Sequence, residues 1–353
     1  MRVRVLLAVL AAIVVPAALA TAPAHGALKA IWGPNELPNG RSAFPTYKRL
    51  GVDVLQQQLR WDHVATRRPE RPGDPDDPAY AWPKDIDEAY RKANRHGIRL
   101  ALMVKGAPRW SNGDAPQNFS PHNSWDYGDF VAAASRRYRR VRHWMIWGEP
   151  SQAHNFFPQA RNSPVGPQAY AVLLESAYTR LKQVDRRDIV IGGMTWTFGG
   201  DVLPTDFVRW MRLPDGRPPR LDWFGHNPFS VRYPDLRKRP YVKGLRDLSD
   251  IDTFIREIRR AYRVRHMRPR LWLSEFTVSS DHKNVAFDFF VSRQEQAQWL
   301  TAAYGIARRN GYVAGLGWFG LVDGADRRRG HTTGLLTRSG KRKPAFRAYR
   351  RAR

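Results

Sequence analysis

The sequence predicts a parallel (β/α)8 barrel, a TIM barrel, and two observations lead to this prediction. First, short apolar segments alternate with amphipathic helical segments along the chain after residue 25, which is the pattern of a parallel β/α fold. Second, eight such pairs fit into about three hundred residues, which suits a closed barrel better than an open doubly wound sheet. Because no internal repeat, low-complexity tract or Pro/Ser linker interrupts the pattern, we expect one domain over residues 25–353.

The predicted strands are short runs of mostly apolar residues. They cover residues 28–33, 52–61, 98–106, 141–148, 188–195, 221–227, 269–275 and 313–320. The predicted helices repeat apolar residues at intervals of three and four. They cover residues 41–50, 83–96, 125–139, 167–184, 205–212, 249–263, 292–310 and 343–351. Gly51, Gly97 and Gly311 stand where a glycine would end the preceding helix as its C-cap.

The first 24 residues differ from the rest of the chain. Arg2 and Arg4 precede an apolar run over residues 5–20, and Ala18-Leu19-Ala20 is a small-residue cleavage site. We therefore expect a signal peptide over residues 1–24 and a secreted or extracytoplasmic protein of the bacterial cell envelope. An uncleaved N-terminal anchor is the alternative; after cleavage we expect no stable membrane span.

Composition narrows the possible partners. The absence of cysteine excludes a disulfide framework. The net charge of +27 comes from an excess of arginine, which often reflects genome base composition. If the charge has a function, it favours an anionic partner such as an acidic glycan or a cell-wall polymer. Nucleic acid is disfavoured, because the basic residues are spread along the chain instead of forming one motif.

Two predicted strands end on a glutamate. The fourth strand leads into Glu149 and the seventh into Glu275. In a parallel barrel the catalytic groups lie at the C-terminal strand ends, which share one mouth. Glycosidic bond cleavage needs two carboxyl groups, one to protonate the departing oxygen and one to attack or stabilise the oxocarbenium-like carbon. A separation of about 5 to 5.5 Å gives retention and a wider one inversion, which the sequence leaves open. A structural ion pair at the rim is the alternative for either residue.

These strand ends resemble clan A of the glycoside hydrolases, in particular families 39 and 5. The resemblance rests on the Glu149-Pro150 pair and on the Ser-Glu-Phe around Glu275. It implies a retaining O-glycoside hydrolase in which Glu149 is the acid/base and Glu275 the nucleophile. It also implies that Arg60, after the second strand, keeps the nucleophile ionised, since a nearby guanidinium lowers a carboxyl pKa. A surface arginine is the alternative for Arg60.

The resemblance supplies further substrate-binding candidates at the strand ends. Trp110 lies in an Ala-Pro-x-Trp turn, His226 and Asn227 end the sixth strand, and Trp318 stands where the clan keeps a sugar-stacking tryptophan. We expect His226 to orient a carboxylate or a sugar hydroxyl. Indoles stack on the apolar faces of sugars, so other strand-end tryptophans are weaker candidates. These are Trp61, Trp147 and Trp196.

The chain departs from the clan at Gly148, where the clan has an asparagine that hydrogen-bonds the sugar 2-hydroxyl. Either Asn227 or His154 supplies this contact, or the substrate presents its 2-position differently, or the protein does not hydrolyse glycans. A glycan-binding pseudoenzyme is therefore the alternative function, and transglycosylation by the same glutamates is a third. The clan's strand-six tyrosine has no clear match, with Tyr233 and Phe229 standing nearest.

Other chemistries lack their motifs. No His/Asp/Glu cluster has metal-ligand spacing, so we expect neither a catalytic metal nor a cofactor. A Gly-x-Ser-x-Gly elbow and a phosphate loop are also absent from the sequence. Two basic segments, 237–239 and 326–329, follow the sixth and eighth strands; we expect solvated loops, or an anionic group of the glycan if they bind. The expectation is a monomer with a carbohydrate substrate.

Overall fold

A closed barrel of eight parallel strands forms the centre of the computed structural model, which describes residues 26–238, 242–284, 288–324 and 330–352. Each strand pairs with the next along the chain, and the last pairs with the first. The strands are β1 (Leu28–Trp32), β2 (Val54–Arg60), β3 (Arg99–Lys105), β4 (His143–Ile146), β5 (Ile189–Trp196), β6 (Trp223–Asn227), β7 (Arg270–Phe276) and β8 (Val313–Phe319). The predicted TIM barrel is confirmed, and every predicted strand overlaps an observed one.

Helices follow the strands around the outside of the barrel. They are α1 (Phe44–Leu50), α2 (Trp61–Val64), α3 (Lys84–His96), α4 (Arg109–Asn112), α5 (Ser124–Arg137), α6 (Val165–Val184), α7 (Pro204–Trp210), α8 (Ile251–Tyr262), α9 (Arg293–Arg309) and α10 (Pro344–Arg351). All eight predicted helices are present, and the short α2 and α4 are additions at the C-terminal ends of β2 and β3. Two further short strands, Ser279–Ser280 and Phe290–Val291, pair outside the barrel.

Two of the three predicted glycine caps are confirmed. Gly51 and Gly97 end α1 and α3 in the left-handed region, each with φ of 67°. The expectation for Gly311 is wrong, because Asn310 is the C-cap of α9 with an extended backbone at φ −99°. The Asn310 side chain accepts a hydrogen bond from the Tyr312 backbone at 3.0 Å, an Asx turn that makes a left-handed glycine unnecessary.

The barrel interior is packed with side chains and leaves no channel below the mouth. Its buried members are small residues, methionines and indoles: Ala30, Trp32, Val54, Ala101, Met103, Met145, Ile191, Met194, Trp272 and Ala314. Trp223 and Trp272 stack there with ring centroids 5.6 Å apart. A second apolar layer packs between strands and helices. Functional groups are therefore confined to the C-terminal strand ends, as in other barrels of this type.

The predicted signal peptide, residues 1–24, lies outside the described residues. Among the residues that the structure does describe, no helix is long and apolar enough to cross a membrane.

Candidate active site

Glu149 and Glu275 line the same cleft at the C-terminal mouth of the barrel, with a volume of about 250 Å³. Much of its wall is aromatic or aliphatic: Trp196, Phe198, Phe229, Val231, Val278, Phe289 and Phe319. The polar residues of the lining, besides the two glutamates, are Gln152, Ser230, Thr277, Asp288 and His331. A cleft with apolar walls and a few convergent polar groups is the usual form of a small-ligand site.

An extra residue in β7 turns Glu275 into this cleft. Leu273 pairs with Leu316 of β8, but Phe276 pairs with Trp318, so β7 has one residue more than β8 over this stretch. Leu273 and Phe276 both pack on the helix side of the sheet. Strict alternation from Leu273 would place Glu275 on that side as well. The β-bulge breaks the alternation and re-aims the side chain, a recurrent use of bulges beside active sites.

The backbone after β4 has an unusual conformation that carries Glu149. Trp147 and Glu149 both have positive φ, 63° and 47°. Such values are uncommon for residues other than glycine and cluster at functional sites. The Trp147 indole Nε1 donates to the Asn155 carbonyl at 2.7 Å, which ties the turn to the following loop. The turn thus presents Glu149 at the mouth.

Side-chain amides hold the Glu149 carboxyl. Gln152 Nε2 donates to Oε2 at 2.6 Å, Asn227 Nδ2 donates to Oε1 at 2.9 Å, and Asn155 makes a longer contact of 3.5 Å. Burial raises the pKa of Glu149, whereas the hydrogen bonds from Asn227 and Gln152 lower it because they favour the carboxylate. The net pKa lies above its ordinary value.

Glu275 has a different environment. None of the residues that the structure describes donates a hydrogen bond to its carboxyl. Burial and then the charge of Glu149 raise the pKa of Glu275 well above its usual range, and Lys105 acts in the opposite direction. Each carboxylate disfavours a second negative charge in the same cleft, so the pair favours a state in which one of the two carries a proton.

Arg60 binds Asp62 and not Glu275. Its Nε and Nη2 donate to the two carboxylate oxygens of Asp62 at 2.8 and 2.6 Å. The pair lies against the Cα of Gly106, where a Cβ would collide with Asp62. The predicted contact between Arg60 and Glu275 is absent, because Asp62, an acid two positions along the chain, binds the guanidinium.

His226 and Asn227 are adjacent in β6 but have separate surroundings. The two ring nitrogens of His226 contact Thr195 Oγ1 at 2.8 Å and the Arg246 carbonyl at 2.7 Å. Burial lowers the pKa of His226 to about 4. The imidazole therefore links the Thr195 side chain to the Arg246 backbone outside the cleft. It does not orient a carboxylate or a sugar hydroxyl, which is the role that the sequence predicted. Asn227 points into the mouth and contacts Glu149 instead.

The two tryptophans selected from the sequence lie outside the cleft lining. Trp318 is fully buried and its Nε1 donates to the Thr333 carbonyl at 2.9 Å. Trp110 packs edge-on against Trp61 and donates to the Ala65 carbonyl at 2.7 Å. Strand alternation sends Phe319, the neighbour of Trp318, into the cleft. Of the other candidates, Trp61 and Trp147 are buried, and Trp196 lines the cleft.

The space that an asparagine would need at Gly148 is occupied. A Cβ there would lie 2.8 Å from Met103 Sδ, closer than real contacts allow. Met103 belongs to the barrel interior, and it occupies the space that the side chain of the clan's asparagine would need. His154 does act on Glu149, lowering the pKa of Glu149 through its charge.

Other sequence candidates fall around the cleft. Phe229 lines it, whereas Tyr233 is 44% exposed and packs edge-on against Trp299 at 6.0 Å. In the first basic segment, Arg237 is 91% exposed and paired with Asp235. Residues 239 and 326–329 lie outside the described residues. Within the described ranges no three His, Cys, Asp or Glu side chains are grouped as a metal site would require.

Sequence reasoning missed three residues of the site. Gln152 and Asn155 lie in the loop after β4, whose path no pattern predicted. Lys105 is the last residue of β3, and its position at a C-terminal strand end of a barrel was a signal that could have identified it.

The fold and the cleft define a TIM barrel with two half-buried carboxyls at its mouth, and solved glycoside hydrolases share this fold. A family 39 glycoside hydrolase from Bacteroides cellulosilyticus WH2 matches with a TM-score of 0.64 and 18% identity over 91% of this chain and 62% of that one. A glucosidase from Croceicoccus marinus matches with a TM-score of 0.64 and 15% identity, over 92% of this chain and 64% of that one. A monomeric β-xylosidase from Caulobacter crescentus CB15 matches with a TM-score of 0.60 and 18% identity, over 92% of this chain and 68% of that one.

The chain spans less than two thirds of the length of the first two of these proteins. Comparisons with models of protein families and with curated proteins found no match. The resemblance to clan A is thus confirmed at the level of the fold.

Proposed function

We propose that this protein is a retaining O-glycoside hydrolase. Glu275 would attack the anomeric carbon while Glu149 protonates the leaving oxygen, and Glu149 would then activate water to release the sugar. The observation that carries the proposal is the placement of two half-buried glutamates, one after β4 and one in β7, in one cleft, each by an irregular backbone. A structural ion pair would need a basic partner for each carboxyl, and neither forms a salt bridge with a described residue.

The proton balance of the pair fits the number of protons that the mechanism needs, but the larger rise in pKa is at Glu275, the carboxyl that must be ionised. The first step needs one carboxyl protonated and the other ionised, which is the state that burial and mutual repulsion favour. When Glu149 has given up its proton, Asn227 and Gln152 stabilise the resulting carboxylate. That carboxylate is the base required by the second step.

The proposed substrate is an oligosaccharide or polysaccharide outside the cytoplasm. Trp196, Phe198 and Phe319 offer apolar faces on which sugar rings stack. The excess of positive charge favours an anionic glycan. Secretion through a signal peptide at residues 1–24, a single catalytic domain over 25–353 and a monomeric state are parts of this proposal.

Product stereochemistry tests the reaction class. The mature chain is incubated with a panel of aryl glycosides and of plant and bacterial polysaccharides, and the product anomer is followed by proton NMR. We expect the first product to keep the substrate's configuration and Glu149→Gln and Glu275→Gln each to lose at least about 10³-fold in kcat/KM. Glu70→Gln, at an exposed position, is the matched control. An inverted first product, or full activity of Glu275→Gln, would contradict the proposal.

A glycan-binding protein without turnover is the second candidate. It is favoured by Gly148, where Met103 excludes the clan's side-chain donor. On a glycan array, binding that survives Glu149→Gln, together with no turnover of any bound glycan by the unmutated chain, would support it. Turnover of a bound glycan would exclude it.

A further inference from the structure

Lys105 is a cation at the mouth of the barrel that is not paired with any residue in the described part of the chain. It ends β3 and pairs in register with Arg60, which ends β2. On its other side β3 pairs with β4, the strand that leads to Glu149. Its side chain is half-buried and forms no hydrogen bond and no ion pair within 4 Å to any described residue. Arg60, by contrast, has both carboxylate oxygens of Asp62.

Glu275 is the carboxyl that most needs such a cation. As nucleophile it must be ionised, yet burial and the charge of Glu149 both favour its protonated form. Glu149 has amide donors that stabilise its carboxylate, whereas Glu275 has none among the described residues. A positive charge nearby is the remaining way to favour the anion.

Among the residues that the structure describes, the charged groups facing Glu275 leave one candidate. Glu149 from β4 and Asp288 from the loop after β7 are acids and oppose ionisation. Burial lowers the pKa of His331, which also lines the cleft, so its imidazole is neutral at pH 7. His154 acts on Glu149. Lys105 is the cation that acts on Glu275.

Arg60 does not fill this role, because its charge is neutralised. The guanidinium and Asp62 form a bidentate pair that Gly106 allows to lie flat against the backbone. Seen from Glu275, the pair is close to neutral. Lys105 lies at the end of β3, the strand next to that of Arg60, and its charge is not compensated by any described residue.

We propose that Lys105 is a positioning residue whose charge favours the ionised form of Glu275, taking the part that the resemblance to clan A gives to Arg60. The inference rests on the proposed function in one respect only, that an ionised Glu275 is the attacking group. The electrostatic claim itself concerns the free protein and holds without a substrate.

The coupling is reciprocal. Burial and Arg60 lower the pKa of Lys105, while Glu149 and Glu275 raise it. The carboxyls thus favour the ammonium form of Lys105, and the ammonium favours the carboxylate form of Glu275. A methionine at position 105 would preserve the length of the side chain and remove the charge.

Carbon-13 NMR of protein labelled at the glutamate side-chain carboxyls tests the proposal. The titration is done in the Glu149→Gln background, so that Glu275 titrates alone, and the Glu275 signal is assigned by its loss in Glu275→Gln. We expect Lys105→Met to raise the pKa of Glu275 by on the order of one pH unit or more. Lys105→Arg should keep it within a few tenths of the parent value.

Two further variants make the result specific. Lys48→Met, at an exposed position of α1, is the matched control and should leave the Glu275 titration unchanged. The double variant Arg60→Met/Asp62→Asn should shift it by much less than Lys105→Met, since it removes both charges of a neutral pair. An unchanged Glu275 titration in Lys105→Met, with native circular dichroism, would overturn the proposal. So would a shift in Arg60→Met/Asp62→Asn as large as that in Lys105→Met.

Activity separates this proposal from the function. If a substrate is found, the acidic limb of the kcat/KM profile should move to higher pH in Lys105→Met and stay in place in Lys105→Arg. A titration shift without turnover of any glycoside would leave the electrostatic claim standing and refute the hydrolase. Turnover of a glycoside without a shift in the Glu275 titration would support the hydrolase and refute the electrostatic claim.

Discussion

Replacing Asn227 by alanine removes the shorter of the two asparagine contacts to Glu149. Its Nδ2 donates to Oε1 at 2.9 Å from a buried position at the end of β6. A hydrogen bond to a charged group contributes about 1.5 to 3 kcal/mol, and one pKa unit corresponds to about 1.4 kcal/mol. Because the donor favours the carboxylate, its loss should raise the pKa of Glu149 by about 1 to 2 pH units.

The assay is the pH profile of kcat/KM on the aryl glycoside that the panel identifies. In the proposed mechanism Glu149 is the acid, so the basic limb reports the loss of its proton and should move to higher pH in Asn227→Ala. Asn155→Ala is the matched control, since its contact to the same carboxylate is 3.5 Å long and should matter little. A basic limb that stays in place in Asn227→Ala, or that moves equally in Asn155→Ala, would refute the reasoning.

Three other changes have defined outcomes. Gly148→Asn should cost about 1 to 3 kcal/mol of unfolding free energy through Met103, and adding Met103→Ala should recover part of it in denaturant titrations. Burial raises the pKa of Glu275, so its contribution to stability is present at low pH and lost as pH rises, because the folded state disfavours the ionised carboxyl. Glu275→Gln should therefore raise Tm at pH 7 but not near pH 4. Trp196→Ala should raise KM on a glycan substrate with little loss of Tm, whereas buried Trp318→Ala should cost about 3 to 5 kcal/mol.

The barrel was predictable because its signals are local and repeated. Apolar strands and amphipathic helices follow one another eight times, and each observed strand overlaps its predicted range. The glutamates at the ends of β4 and β7 could be found for the same reason, since the C-terminal ends of parallel strands meet at one mouth. Asn227 was found at its strand end in the same way.

The side-chain directions could not be predicted, because they depend on single-residue irregularities. The bulge in β7 turns Glu275 into the cleft, and simple alternation turns Trp318 away from it in favour of Phe319. Arg60 was assigned from its position in the chain, but the acid that neutralises it follows two residues later in α2. His226 satisfies both ring nitrogens with groups that are distant in sequence.

The central claim is that Glu275 forms a covalent bond with the sugar. The direct measurement is peptide mapping by mass spectrometry after exposure to a panel of 2-fluoro glycosides and cyclophellitol-type probes. We expect the adduct on the peptide that contains Glu275, slower labelling in Lys105→Met, and no labelling of Glu275→Gln. An adduct on Glu149 or on another residue would contradict the assignment, and so would a Glu275→Gln variant that is labelled at the same rate as the unmutated chain.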